Sequence, residues 1–155
     1  PLPHLQQIFE QIALAKVSES AKLAREMGFL TDADRVVLNR DHLLAEAKRE
    51  VLHMRATGFR AVPPGEVWAA GRDALAALRI AVFSMREANY ATEHDALIAN
   101  KIAYVLAGGD ISAPGWVPEQ YILDLEREAF LELCHEPKTL ERIAHMLQHN
   151  KPLRN

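Results

Sequence analysis

Cysteine occurs once in 155 residues, as Cys134. An internal disulfide is excluded, and a reducing compartment such as the cytoplasm fits. Charge of one sign is also missing. Lys+Arg is 18 and Asp+Glu is 21, a net charge of −3. That balance gives no bulk attraction for nucleic acid or anionic membrane, so neither is expected as a partner. No apolar run approaches the roughly 20 residues that span a bilayer. The start, Pro1-Leu2-Pro3-His4, lacks the basic region and apolar stretch of a signal peptide. The seven glycines contain no Gly-x-Gly-x-x-Gly, no Gly-x-x-x-x-Gly-Lys-[Ser/Thr] and no Gly-x-Ser-x-Gly. A Rossmann pyrophosphate turn, a P-loop and a hydrolase nucleophile elbow are therefore absent. One thiol cannot build a Cys-based zinc site.

What is present is apolar content of 49%, patterned at helical period. A folded chain of this size buries roughly 68–70% of its unfolded surface, enough for a core. The spacing predicts a first helix from His4 to Ala15, with Leu5, Ile8, Phe9 and Ile12 on one side. A second runs from Ala21 to Met27, capped by Ser18 and ended by Gly28. Val36-Val37-Leu38 is the one segment that reads as a strand. Asp41 is expected to cap a helix from His42 to about Arg55, with a stripe of Leu43, Leu44, Ala47, Val51 and Met54.

Residues 58–71 hold Pro63-Pro64-Gly65 and lack periodicity, so they read as a linker in which Trp68 anchors to a helical surface. Beyond it, Arg72–Asn89 places Leu75, Leu78, Val82 and Met85 on one face. Thr92 and Asp95 form a near capping box for the helix through Leu97, Ile98, Ile102 and Val105, which Gly108-Gly109 stops. Asp110–Gly115 reads as a loop. A long helix runs from Pro118 to Cys134, with Tyr121, Ile122, Leu125, Ala129 and Leu133 inward. Thr139 is expected to cap a last helix ending near Gln148. The fold class is all-α with at most one short strand. The organisation reads as a helical segment 1–57, a linker 58–71 and a helical subdomain 72–155.

Candidate chemistry is sparse. His145 and His149 are spaced i,i+4 with Glu141 one turn earlier, as metal ligands can be. A wet polar face opposite Ile143 and Leu147 is the simpler reading, because the His-Glu-x-x-His arrangement is absent, and no metal is expected. Cys134 and His135 are neighbours that point about 100° apart on a helix, which disfavours a nucleophilic pair. Glu126 and Glu128 diverge. Asp124 and Glu128 share a face that reads as solvated. Lys16, Lys22 and Arg25 could meet a phosphate, although exposed charge is the plainer reading.

Two stretches carry a resemblance. Lys16-Val17-Ser18-x-Ser20-Ala21-x-x-Ala24-x-x-x-Gly28-Phe29-Leu30, with Asn39-x-Asp41-x-Leu43-Leu44-x-x-Ala47, resembles the segment after the catalytic core of crotonase-fold proteins. Glu93-His94-Asp95-Ala96-Leu97-Ile98-Ala99, Tyr121-x-Leu123-Asp124-Leu125-Glu126-Arg127-Glu128-Ala129-Phe130 and Pro137-Lys138-Thr139-x-Glu141-Arg142-Ile143-x-His145-Met146-Leu147 with Lys151-Pro152 are similar to the tails of bacterial fusions of a 3-hydroxyacyl-CoA dehydrogenase with an enoyl-CoA hydratase module.

The resemblance implies a C-terminal helical fragment of a β-oxidation enzyme. Its crotonase core, with oxyanion hole and glutamate acid and base, would lie upstream, as would its dehydrogenase domains. NAD would be the parent's cofactor and acyl-CoA its substrate. No cofactor belongs to this chain and no catalytic residue lies within it. The fragment is expected to be inactive alone, to close the acyl-CoA site and to form a homo-oligomer. Two positions carry over by motif. Phe130 matches a Phe that can flank the CoA adenine of a neighbouring subunit, with a core phenylalanine as the equal alternative. Lys151 matches the one basic position kept from a terminal Lys-Arg-Lys-Pro motif that can meet CoA phosphates. The alternative outside enzymology is an independent helical interaction module.

Overall fold

A computed structural model describes residues 2–155. It is 61% helical, as the apolar periodicity requires. Contacts divide the chain into two compact units: residues through Lys16 together with Pro64–Asn155, and Val17–Pro63. The packing thus groups the first helix with the C-terminal half, whereas composition groups it with the segment before the linker.

In the larger unit, α1 (Leu2–Ala13), α4 (Gly71–Glu87) and α5 (Glu93–Leu106) pack together, and α6 (Glu119–Leu133) packs on α5. The smaller unit holds α2 (Ala21–Glu26) and α3 (Leu43–Ala56), the latter entered through a 3₁₀ turn at Arg40–His42. Helix α7 (Pro137–His149) completes the larger unit. The core is Phe9 from α1, Leu75, Leu78 and Val82 from α4, and Ala96, Ala103 and Ala107 on or beside α5. The alanine face of α5 lets the bulkier α4 residues come close, alternating large with small across the contact. Phe9 is 4% exposed, Leu5 and Ile8 are half-buried, and Ile12 at the end of the α1 stripe is 47% exposed. On α6, Leu125 and Ala129 are buried where the spacing put them.

The strand expectation fails. Val36-Val37-Leu38 is irregular, and Leu38 is 98% exposed. Nothing in the smaller unit offers these residues a partner strand, and an unpaired strand is not stable. Arg35 before them instead bridges Glu46 and Glu50 of α3, each at 2.9 Å. One strand lies in the expected linker; the other runs from the last residue of the expected loop to Pro118, which ends a strand instead of starting the long helix. Strands β1 (Glu66–Ala69) and β2 (Gly115–Pro118) pair antiparallel, with Trp68 opposite Trp116. The two indoles meet edge to face at 5.4 Å.

Three caps also move. Ser20, not Ser18, caps α2: its hydroxyl accepts from the Leu23 N–H at 3.1 Å. Asn39, not Asp41, caps the 3₁₀ turn. Thr139 does not cap α7, which starts at Pro137, a residue suited to the first turn because its missing N–H would be unpaired there anyway. The Thr92–Asp95 capping box forms in full.

Gly108 and Gly109 end α5 with φ of 80° and 79°. Gly108 has a second constraint: a Cβ there would collide with the Ala69 side chain of β1. Tyr121 Oη of α6 donates to the Gly108 carbonyl at 3.0 Å, and the Gly71 N–H donates to the Ala107 carbonyl at 2.9 Å. The glycine turn therefore locks α4, α5, α6 and β1 to one another, and so fixes α5 beneath the site described next.

Candidate functional site

The candidate site is a groove of about 550 Å³ in the larger unit. Phe9 and Ala13 of α1, Val82 and Met85 of α4, and Leu153 supply apolar walls. The polar end holds Asp95, Arg142 and Arg154. The capping box fixes Asp95 first: the Thr92 N–H donates to Asp95 Oδ2 at 3.0 Å. Arg142 Nη1 of α7 donates to Asp95 Oδ1 at 2.8 Å. Arg154 Nη2 lies 3.5 Å from Asp95 Oδ2 and donates to the Tyr90 carbonyl at 3.0 Å. Arg142 Nε also donates to Asn155 Oδ1 at 2.8 Å. Residues 153–155 are thereby clasped along the groove by charge-assisted hydrogen bonds, the stronger kind.

Burial alone would raise the Asp95 pKa. Hydrogen bonds from the Thr92 backbone, from Arg142 and from the Thr92 hydroxyl outweigh it, together with the positive charge of Arg142, and hold the carboxyl at about 2. Asp95 is a fixed anion at neutral pH and cannot shuttle protons there. Its neighbour His94 is buried, with Nε2 3.0 Å from Thr139 Oγ1 of α7. Burial lowers the His94 pKa, and the charges of Arg142 and Lys138 lower it further. The pair joins α5 to α7 as a neutral hydrogen bond. A fixed anion, a neutral buried imidazole and two engaged guanidiniums make a clasp and a binding wall; no nucleophile stands among them.

The positions singled out from sequence lie elsewhere. Phe130 is 54% exposed on α6, so it is not a core phenylalanine. Lys151 is exposed just past Asn150, whose φ of 51° ends α7. Neither lines the groove. Cys134 is half-buried at the end of α6. The His135 ring turns back on its own helix, with Nδ1 2.8 Å from the Leu131 carbonyl. Asp124 is engaged by Gln120 and Arg127. Lys16 pairs with Glu10 in the larger unit, and Lys22 with Glu26 in the smaller one. Arg25 is turned onto the Thr31 and Asp34 carbonyls. All three cations are thus engaged with partners. Among the described residues, no three metal-ligating side chains converge, and no helix is long and apolar enough to cross a membrane.

Sequence reasoning gave Asp95 no role beyond capping, and it assigned no role to Arg142 or Arg154, which it met only as residues of the terminal motif. No local pattern links residues so far apart in the chain. The available hint was that Asp95 can cap a helix and still accept from a cation.

Over all 155 residues the chain is 44% identical to the probable 3-hydroxyacyl-CoA dehydrogenase of Bacillus subtilis (strain 168). It spans 20% of that protein's length. No family model matches the chain. No solved structure matches it.

Proposed function

We propose that this chain is a helical part of a dehydrogenase of fatty-acid β-oxidation, of the kind that oxidises 3-hydroxyacyl-CoA with NAD. The observation that carries this reading is identity of 44% running the whole length of the chain. The part is non-catalytic: it lacks a dinucleotide turn, and Asp95, the carboxylate of the groove, is held as an anion at neutral pH by its hydrogen-bond partners. Its role is to close the acyl-CoA site and to make subunit contacts.

In the finer reading the larger protein also hydrates trans-2-enoyl-CoA on a crotonase-like core. Phe130 packs beside the CoA adenine and Lys151 meets a CoA phosphate. Two facts support these CoA contacts: the Phe130 ring is exposed on α6, and Lys151 is exposed just past α7.

The test is a chimera. This chain replaces the stretch of the Bacillus protein that it matches, and NAD reduction with a 3-hydroxyacyl-CoA is assayed. Activity within about tenfold of the unaltered protein is expected. A soluble, folded chimera with no turnover would overturn the proposal. In the active chimera, Phe130→Ala and Lys151→Ala should raise KM for the CoA substrate and leave kcat nearly unchanged, since lost uniform binding appears in KM. An unchanged KM would remove the two CoA contacts and leave the broader reading standing.

A further inference from the structure

We propose that His145 and His149 form a two-imidazole site on α7 for a late first-row divalent metal ion, of the copper, nickel or zinc class. The spacing alone permits a shared face but does not say whether the rings converge or splay. In the structure they converge: the ring centroids are 4.5 Å apart, with the planes at 47°.

The other histidines with defined ring contacts are committed elsewhere. The His94 ring meets Thr139 and the His135 ring meets the Leu131 carbonyl. The His145 and His149 rings meet each other. One turn earlier on the same face, Glu141 Oε2 accepts from the Asn155 amide at 2.7 Å. Glu141 makes no ion pair among the described residues, so its negative charge stays available to a cation on this face. His149 lies in the last turn of α7, where free carbonyls and the negative end of the helix dipole favour a cation.

Imidazole nitrogen suits zinc, copper and nickel, and affinity for such sites rises toward copper. Two protein ligands leave the remaining positions to water, so the ion is held openly and exchanges. This differs from the closed four-ligand sites that fold a chain around zinc. The proposal departs from the sequence reading of this face as merely wet, on the strength of the ring contact. The inference does not depend on the dehydrogenase reading, and its test uses no enzyme activity.

The experiment is calorimetric titration of the full 155-residue chain with Cu²⁺, repeated with Zn²⁺. One ion per chain is expected, with copper the tighter. His145→Ala and His149→Ala should each weaken binding by at least about tenfold, as a lost ligand costs no less than a lost second-layer partner. His135→Ala should change nothing. Circular dichroism of each variant checks that α7 is intact. A readout without mutation is the histidine ring proton spectrum, in which Zn²⁺ should shift the His145 and His149 signals together. No binding by the unaltered chain would overturn the proposal. So would binding that is no weaker after either single substitution, because the ion would then not be chelated by this pair.

Discussion

At the scale of single residues, acid should weaken this protein in two steps, and both signs follow from burial and pairing. His94 has its pKa lowered below 6.5, by burial first and then by Arg142 and Lys138. The unfolded chain takes up that proton more readily than the folded one. Stability is therefore full above about pH 6.5 and falls as pH drops below it. His94→Gln, which keeps a donor for Thr139, should flatten this first step. Asp95 acts lower. Its carboxyl sits at about 2 against an ordinary 3.8. Its contribution, about 2 kcal/mol by linkage, is present above the unfolded value and is lost as pH falls toward 2. Asp95→Asn should remove that step and lower stability at neutral pH by a similar amount. Urea midpoints measured from pH 8 to pH 2.5 separate the two, and a flat profile in the unaltered chain would refute both. Gly108 is the other decisive position. Gly108→Ala meets a positive φ and the Ala69 side chain at once. A loss of about 2–4 kcal/mol is expected from overpacking and backbone strain together, read from the same urea midpoints.

At the scale of elements, what could be read from sequence was whatever a single stretch of chain decides by itself. The α4 stripe Leu75/Leu78/Val82 needs only the 3.6-residue period, and it is buried as expected. Leu78, 1% exposed, should cost about 2–5 kcal/mol on Leu78→Ala, measured by thermal or urea unfolding. The Thr92–Asp95 box is likewise local. The strands were illegible because their cause is not local. Val36-Val37-Leu38 has the better strand composition but no neighbour to bond. Glu66–Ala69 and Gly115–Pro118 are short and flanked by proline or glycine, yet the α4–α5 pair and the Gly108 turn bring them side by side. The clasp failed to show for the same reason: Asp95, Arg142 and Arg154 meet only after α5 and α7 have packed. Both tryptophans of the chain sit on this ribbon, 44% and 63% exposed. Their emission should be that of solvent-facing indole and readily quenched by iodide. A blue-shifted, quencher-resistant spectrum would refute the ribbon's placement.

At the scale of the whole molecule, apolar surface outside the core sets the last expectation. In the smaller unit, α3 carries Leu43, Leu44, Val51 and Leu52 at 53%, 82%, 63% and 53% exposed. The sequence placed three of these on one helical stripe, and the unit's own residues leave that stripe uncovered. Contiguous apolar patches beyond a few hundred Å² are unusual on a stable monomer. Burying one gains roughly 25 cal/mol per Å², partly offset by the lost freedom of association. The chain by itself should therefore self-associate, and a two-fold dimer is the commonest closed arrangement. Sedimentation velocity across a hundredfold range of concentration should show the sedimentation coefficient rising. Leu44→Glu with Val51→Glu should hold the chain as a monomer while far-UV circular dichroism stays helical, because neither side chain belongs to a core. A clean monomer at every concentration in the unaltered chain would rule association out. Association that survives the double substitution would move the contact away from α3, to a surface of the larger unit such as the Trp68–Trp116 ribbon.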